Sequence, residues 1–332
     1  MRLQRRNNRS VLLRGEALAH FPLLMLLMVL LSGCRHKDLC DPVSGALEVK
    51  FDWKFLSQEA RKPAGMRVIF YSEDNAQYYI NNISADGAKV YVPDGMYTLI
   101  AYNNDSEVVQ YDGEAKLDQC HAFTRMTDVN GQHTDESRRK DRLKQQGVNE
   151  KEYYKMPEMA WSAKKGSVKV CSGKEMVVLL TPECYTTHVK VRYVNVEKPK
   201  NVDKSRLYYI GLPGEYYFKE GKPSADKVVF MSFPNPTPPD APTEITDENE
   251  VFLGNDPDLL VGMELQINLG YVNKGVVKLR VTVTKEMIKR VAPNSYEIII
   301  RERINEPVPI DDEDGFNPSI EEWTREDYVI DM

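Results

Sequence analysis

Alternation of apolar and polar residues is the feature that most limits what this chain can fold into. Leu47, Val49 and Phe51 alternate with charged residues, and the pattern continues to Phe55. Because successive side chains of a strand point to opposite faces, a period of two predicts a strand with one buried face. No ten-residue segment of the first half has a convincing helical period. The alternation therefore predicts an all-β fold.

Further strands, separated by turns, are predicted along the rest of the chain. At Pro93-Asp94-Gly95 the proline presets φ and the glycine accepts a positive φ, which predicts a turn between two apolar runs. A hairpin is predicted from Val168–Val170 through Ser172-Gly173 into Met176–Thr181. Short strands with regular turns predict antiparallel β-sandwiches. The other predicted strands are Met66–Tyr71, Ala88–Val92, Met96–Tyr102, Val108–Tyr111, His188–Val196, Arg206–Leu212, Lys227–Phe233, Met263–Tyr271, Val276–Thr284 and Ser295–Arg303.

Two tandem antiparallel β-sandwich domains are predicted, an N-terminal one over 45–182 and a C-terminal one over 183–332. A long polar loop near 125–160 interrupts the first, and its crowded arginines make it an accessible target for a trypsin-like protease. The loop lacks the interleaved aromatic residues and basic background of a nucleic-acid site, so no nucleic-acid partner is predicted. Five prolines over 234–242 predict an extended loop, because proline cannot donate to a sheet ladder.

The N-terminus has the organisation of an export signal. Five arginines precede the apolar run Phe21–Leu31, which is shorter than the roughly 20 residues of a membrane-spanning helix. Leu31-Ser32-Gly33-Cys34 follows and resembles the bacterial lipobox. This resemblance predicts that residues 1–33 are a lipoprotein signal peptide and that Cys34 becomes the lipidated first residue, whose acyl chains hold the protein on a membrane. The alternative is a secreted chain in which Cys34 is incidental.

After removal of the signal, residues 34–44 form a short polar tether ahead of the first strand. Lys37-Asp38 resembles only a fragment of a surface-display signal, and a plain linker is the alternative. Residues 1–33 carry five arginines and one glutamate, so their loss changes the net charge from −6 to −10. A chain this acidic does not attract nucleic acid or anionic lipid through its long-range field. The lipid on Cys34 is therefore the predicted membrane contact.

Four other cysteines could be oxidised in an exported chain: Cys40, Cys120, Cys171 and Cys184. Cys171 and Cys184 lie at opposite ends of the second strand of the predicted hairpin, about 30 Å apart at about 3.3 Å per residue. A disulfide requires Cα atoms within about 7 Å, which argues against this pair. A Cys40–Cys120 bridge is the candidate disulfide, and free buried thiols are the alternative. No spacing of cysteine and histidine typical of zinc sites occurs.

The sequence contains no pattern typical of an active site. His121, His133 and His188 stand apart from any motif that pairs a base with a nucleophile. The acidic run Asp311–Gly315 lacks the spaced ligands and the final glutamate of a calcium-binding EF-hand loop, so an acidic surface turn is predicted instead. The prediction is therefore a non-catalytic protein without a metal site or a cofactor.

Three stretches resemble Bacteroidales lipoproteins related to the minor fimbrillin, or fimbrial anchor, superfamily. They are Cys34–Asp41, Pro93–Asn103 and the late Gly315-Phe316 with Trp323. The resemblance implies two tandem transthyretin-like β-sandwich domains behind a lipidated cysteine. It also implies export, anchoring in the cell outer membrane, and a role in holding or terminating a fimbrial shaft that is built by strand exchange.

The resemblance assigns roles to few residues. Cys34 matches the lipidated cysteine, and Tyr328, Val329 and Ile330 lie where fimbrial subunits keep a C-terminal docking strand. The predicted function is a lipid-anchored outer-membrane protein that contacts fimbrial subunits as an anchor or accessory subunit. The alternative is a surface lipoprotein that binds glycan or a host protein. For that function, the paired rings Tyr78-Tyr79 and Tyr216-Tyr217 would each offer one ring to solvent for sugar stacking.

Overall fold

The computed structural model describes residues 44–56, 62–128, 152–235, 243–254 and 256–308, and this part of the chain consists almost entirely of strands. The all-β prediction is therefore confirmed. The first strands are β1 Ser44–Phe51, β2 Gly65–Tyr71, β3 Gln77–Ser84, β4 Ala88–Pro93, β5 Gly95–Asn103, β6 Val109–Asp112, β7 His121–Thr124, β8 Met126–Asp128, β9 Glu152–Lys155, β10 Trp161–Val170, β11 Glu175–Leu180 and β12 Glu183–Cys184. The later strands are β13 Thr187–Val196, β14 Val202–Pro213, β15 Glu215–Tyr217, β16 Lys222–Pro223, β17 Lys227–Ser232, β18 Ile245–Val251, β19 Glu264–Tyr271, β20 Val276–Thr282, β21 Ile288–Ala292 and β22 Ser295–Ile304. Short 3₁₀ helices occur at Pro199–Asn201, Pro257–Leu260 and Lys285–Met287.

The early strands form two sheets that enclose a hydrophobic core. One sheet has the strand order β11-β1-β4 and the other has the order β12-β10-β5-β2-β3. The inward side chains Leu47 and Val49 of β1 pack in one buried cluster with Val68 and Phe70 of β2 and with Leu99 of β5. This core buries one face of each sheet, as the period of two predicted.

The later strands form a second pair of sheets, ordered β18-β13-β22-β21 and β20-β19-β14-β17-β9-β8. Leu265, Ile267 and Leu269 of β19 are fully buried, and so are Ile298 and Ile300 of β22. The sequence predicted these inward faces correctly. The buried cluster of this half also contains residues of the first half, because strands β2, β5 and β7 contribute side chains to it.

The two halves share the same strand connectivity. In the first half β2 pairs with β3 and β5, and β5 pairs with β10. In the second half β14 pairs with β17 and β19, and β19 pairs with β20. The opposite sheets also correspond, since β1 lies between β4 and β11 just as β13 lies between β18 and β22. In both halves the first strand runs parallel to the last, β1 beside β11 and β13 beside β22. The sheets are otherwise mostly antiparallel.

Two ladders join the halves. Strand β7 pairs antiparallel with β15 in a small sheet of order β16-β15-β7-β6, and β9 pairs parallel with β17. A cluster of aromatic rings lies at this junction. Tyr102 stacks on Phe218 with ring centroids 5.1 Å apart, and Tyr185 stacks on Tyr216 at 4.8 Å. Hydrogen bonds and ring packing therefore both hold the repeats together.

Between residues 125 and 181 the structure differs from two of the sequence predictions. The hairpin predicted over 168–181 is wrong, because β11 does not pair with β10 but crosses to the opposite sheet beside β1. Strand β11 thus becomes an edge strand of the three-stranded sheet, and its residues Val178 and Leu180 pack on the core from that sheet. The long loop predicted near 125–160 contains β8 and β9, which extend the sheet of the second half. Residues 129–151, with the crowded arginines, lie outside the described residues.

Candidate functional site

The histidines of the described chain each face a carboxylate. His188 Nδ1 lies 3.3 Å from Glu250 Oε1, and this hydrogen bond raises the pKa of His188 above its usual value. His121 Nε2 lies 3.8 Å from Glu215 Oε1. Within the ranges that the structure describes, no three histidine, cysteine or acidic side chains are grouped closely enough to hold a metal ion. His133 and the acidic run Asp311–Gly315 lie outside those ranges.

A buried carboxylate in the second half holds strands together. Asp247 of β18 accepts hydrogen bonds from the hydroxyls of Tyr209 at 2.6 Å and Ser232 at 2.5 Å, and from the amide of Asn249 at 2.6 Å. Burial raises the pKa of Asp247 against the opposing effect of these bonds. All three partners are protein groups, so this cluster serves the fold.

A polar pocket with a volume of about 340 Å³ lies among the described residues. Arg67 and Glu114 line it and pair with each other at 2.7 Å. Glu114 also accepts a hydrogen bond from the Tyr102 hydroxyl, so the pocket offers little unpaired charge to a ligand. Its other lining residues are Asn104, Ser106, Val109, Gln110 and Tyr111.

Two of the described cysteines, Cys120 and Cys184, lie in positions unsuited to nucleophilic catalysis. Cys120 is fully buried, and burial raises the pKa of its thiol to about 11. The pKa of Cys184 is raised to about 11 by burial as well. Cys184 pairs with Trp161 at the start of β10, whereas Cys171 follows the end of that strand. The Cys40–Cys120 disulfide stays a prediction, because Cys40 lies outside the described residues.

The described rings of the tyrosine pairs, those of Tyr79, Tyr216 and Tyr217, do not form an exposed platform for sugars. Tyr216 is buried against Tyr185, and Tyr217 is half-buried with its ring 5.1 Å from that of His121. Tyr79 is half-buried and packs edge-on against Phe70 at 6.0 Å. The prediction that each pair offers a ring to solvent is therefore wrong for Tyr216-Tyr217, since Tyr217 packs on the neighbouring strand β7.

The sheet β11-β1-β4 is the candidate functional site. Strand β1 is the central strand of this sheet, with a neighbour on each side, and its inward residues Leu47 and Val49 are fully buried. The sequence places Cys34 ten residues before Ser44, where β1 begins. The first strand after the expected lipid is thus held by two ladders and by the core.

The outer face of this sheet carries apolar side chains on its edge strand. Val177 and Leu179 of β11 are 60% and 52% exposed, and Tyr91 of β4 is 59% exposed. Two ion pairs lie on the same sheet, Lys50 with Glu48 at 3.1 Å and Lys89 with Glu175 at 2.5 Å. An exposed apolar strand at a sheet edge is a typical site for pairing with another chain.

The outer edge of β11 has no partner strand in the described part of the chain. The Leu180 carbonyl accepts a hydrogen bond from the Asp52 amide at 2.8 Å, so it points toward the β1 side. Because backbone groups alternate along a strand, those of Glu175, Val177 and Leu179 point to the free edge. In the second half, by contrast, β21 pairs with the corresponding edge of β22. Within the described ranges, the first repeat therefore has no counterpart of the strand that covers this position in the second.

Most residues that the sequence singled out lie outside the described residues, and this includes Cys34, Cys40 and Tyr328–Ile330. The exposed edge of β11 was not predicted from the sequence. Its only signal is the run Met176–Leu180, five apolar residues that a strand buried on one face does not need. No helix in the described ranges has both the length and the apolar character to cross a membrane.

Comparison with known proteins gives matches at the level of family and fold. Residues 33–229 match the model of a domain of unknown function, DUF5119. A proposed fimbrium anchoring subunit, Fim4B of Bacteroides ovatus, is 32% identical over 107 residues, which are 31% of this chain and 31% of that protein. The chain thus aligns with about a third of this curated relative.

Comparison with solved structures gives matches over most of the chain. A proposed adhesin from Bacteroides ovatus has a TM-score of 0.62 at 16% identity, with 84% of this chain and 98% of that chain covered. The fimbrial anchor protein Mfa2 from Porphyromonas gingivalis has a TM-score of 0.49 at 14% identity, with 77% of this chain and 90% of that chain covered. The likeness to the first of these confirms the β-sandwich fold.

Proposed function

We propose, because this chain belongs to the DUF5119 family and is related to a proposed fimbrium anchoring subunit, that it works as a fimbrial anchor or accessory subunit. It acts through protein–protein contacts and without catalysis. In this proposal Cys34 carries the lipid that holds the protein in the cell outer membrane, and fimbrial subunits are its partners. The two repeats act as the two tandem domains predicted over 45–182 and 183–332.

The observation that carries this proposal is the position of β1 in its sheet. An anchor has to transmit the pull of a shaft to the membrane, and with a lipid on Cys34 that pull enters the fold at β1. Because the neighbouring strands run along β1, a force directed along it loads the hydrogen bonds of both ladders together instead of one after another. Burial of Leu47 and Val49 adds core packing to this resistance.

The connection between the repeats supports the same role. A load that enters through β1 has to reach the second repeat, and the β7–β15 and β9–β17 ladders with the aromatic cluster provide two routes. A flexible linker would instead let the repeats separate under tension. The junction is therefore suited to a load-bearing subunit.

Contact with the shaft is made, in this proposal, by strand exchange. Tyr328, Val329 and Ile330 supply a docking strand that pairs with the open sheet of a fimbrial subunit, which is β-augmentation. Backbone hydrogen bonds supply affinity in this mode, and alternate side chains supply specificity.

The test compares fimbriae on the native host with the wild-type chain, a gene deletion, Cys34→Ala, and Cys171→Ala as a matched control. We expect Cys34→Ala to move the protein out of the outer-membrane fraction and to release fimbriae into the medium. Cys171→Ala should leave both unchanged, because Cys171 lies outside the lipobox. Fimbriae of unchanged number, length and attachment in the deletion strain would overturn the anchor role.

A second experiment addresses strand exchange. A chain that ends after Glu326 is isolated from gently solubilised outer membranes, and its co-purifying proteins are identified by mass spectrometry. We expect it to stay in the membrane but to lose stoichiometric fimbrial subunits, which the wild-type chain retains. Retention of those subunits by the shortened chain would contradict the role of Tyr328–Ile330 while leaving the lipid anchor intact.

A further inference from the structure

We propose that the free edge of β11 pairs with β11 of a second copy of this chain, antiparallel and about a two-fold axis at Val177. The pairing would join two three-stranded sheets into one sheet of order β4-β1-β11-β11-β1-β4. It is independent of the fimbrial role, because it rests only on the edge and the outer face of β11. Its occupant is a second copy, for the reasons of register, side-chain chemistry and charge that follow.

The internal repeat indicates which kind of strand this edge accepts. In the second half, β21 occupies the corresponding position and pairs antiparallel with β22 over a few residues. A partner at the edge of β11 would therefore be a short antiparallel strand. In the described ranges no strand of the chain itself takes this place.

Backbone geometry selects the register. Glu175, Val177 and Leu179 direct their N–H and C=O groups to the free edge, as the Asp52–Leu180 hydrogen bond indicates. When Val177 lies opposite Val177 of the second copy, Glu175 lies opposite Leu179 and Leu179 opposite Glu175. All three outward-pointing residues then form hydrogen-bonded pairs, which provide about six backbone hydrogen bonds.

The side chains of β11 favour a partner strand that is apolar on both faces. The inward residues Val178 and Leu180 cover the core, and the outward residues Val177 and Leu179 are more than half exposed. Met176–Leu180 is itself such a strand, so β11 is a suitable complement to itself. Pairing would bring two Val177 side chains together on the outer face and cover a part of each from water.

Charge in this register is complementary. Lys50 of β1 lies beside Leu179, so the row across the interface runs from Lys50 through Leu179 to Glu175 of the second copy. The two-fold axis generates a second such row, from Glu175 of the first copy through Leu179 to Lys50 of the second copy. No like charges lie opposite each other on the two β11 strands. Tethering both copies on one membrane would raise their effective concentration and favour this small contact.

The register is tested by cysteine cross-linking of the full chain in intact cells of the native host. Val177→Cys places the two Cα atoms about 5.5 Å apart, which is within the disulfide range. Leu179→Cys is the matched control, because two copies of residue 179 would lie about 14 Å apart in the same register. After mild oxidation we expect a covalent dimer, sensitive to reductant, for Val177→Cys but not for Leu179→Cys or the wild-type chain.

The association is tested by sedimentation of the full chain in mild detergent over a range of concentrations. Val177→Lys would place two like charges in contact, so we expect the dissociation constant of the dimer to rise at least about tenfold. Val291→Lys is the control, since Val291 is 53% exposed on the edge strand β21 of the other repeat. A wild-type chain that stays monomeric, or a dimer that Val177→Lys leaves unchanged, would overturn the proposal.

Discussion

Replacement of Leu47 by alanine tests the arrangement of β1 in its sheet. Leu47 is fully buried between the two sheets of the first half, in the cluster that also contains Val49 and Val178. Removing a buried leucine side chain costs about 2–5 kcal/mol, because the transfer free energy is lost and a cavity is left. Because Leu47 is completely buried in this cluster, we expect a loss near the middle of that range, about 3 kcal/mol of destabilisation.

Leu179→Ala is the matched control, since it removes the same atoms from the outer face of the same sheet. Leu179 is 52% exposed, so its loss should cost no more than about 1 kcal/mol. Urea unfolding can be followed by tryptophan fluorescence, because Trp53 and Trp161 pack against each other close to the end of β1 and separate on unfolding. Their ring centroids lie 5.7 Å apart. With a slope of about 3 kcal/mol/M, Leu47→Ala should lower the midpoint by about 1 M. A larger loss for Leu179→Ala than for Leu47→Ala would refute the assignment of inner and outer faces.

Three further predictions concern the second repeat and the turns. Burial raises the pKa of Asp247. The stability that this shift contributes is therefore greatest below the unfolded-state pKa of about 3.9 and is lost as pH rises through the folded-state pKa. Asp247→Asn should flatten a profile of urea midpoints against pH over this interval. Gly87 has φ +104°, and an added Cβ would lie 2.2 Å from the Val49 carbonyl oxygen, so Gly87→Ala should lower the melting temperature more than Gly173→Ala, where φ is +70° and the space is open. Arg192 bonds to Glu244 at 2.7 Å and to Glu297 at 2.9 Å, so Arg192→Ala should destabilise by about 1–2 kcal/mol and Arg192→Lys by less, measured by urea unfolding at low salt.

Strands with regular alternation could be predicted from the sequence because local pattern and tertiary burial agree there. The predicted strand Met263–Tyr271 corresponds to β19, and Ser295–Arg303 corresponds to β22, with the expected inward residues buried. In such strands one face contacts a core, so the alternation of apolar and polar residues is sufficient to predict the strand.

Strand β18 could not be predicted in this way. Its sequence Ile245–Val251 is mostly polar, yet Asp247 points into the core. A carboxylate at an inward position breaks the apolar alternation, and its burial is possible only because Tyr209 and Ser232 on other strands donate hydrogen bonds to it. Those partners are distant in sequence, so the local pattern contains no sign of them.

The exposed edge of β11 depends on strand order, and strand order is not a local property. The run Met176–Leu180 predicted a strand, but a hairpin with β10 would have placed it in the other sheet. Its true neighbour is β1, near the start of the chain, and the parallel pairing leaves the opposite edge of β11 open. Whether Val177 lies in a core or in water is decided by that pairing. In the second repeat β21 pairs with the corresponding edge of β22, whereas no strand of the described residues pairs with the open edge of β11.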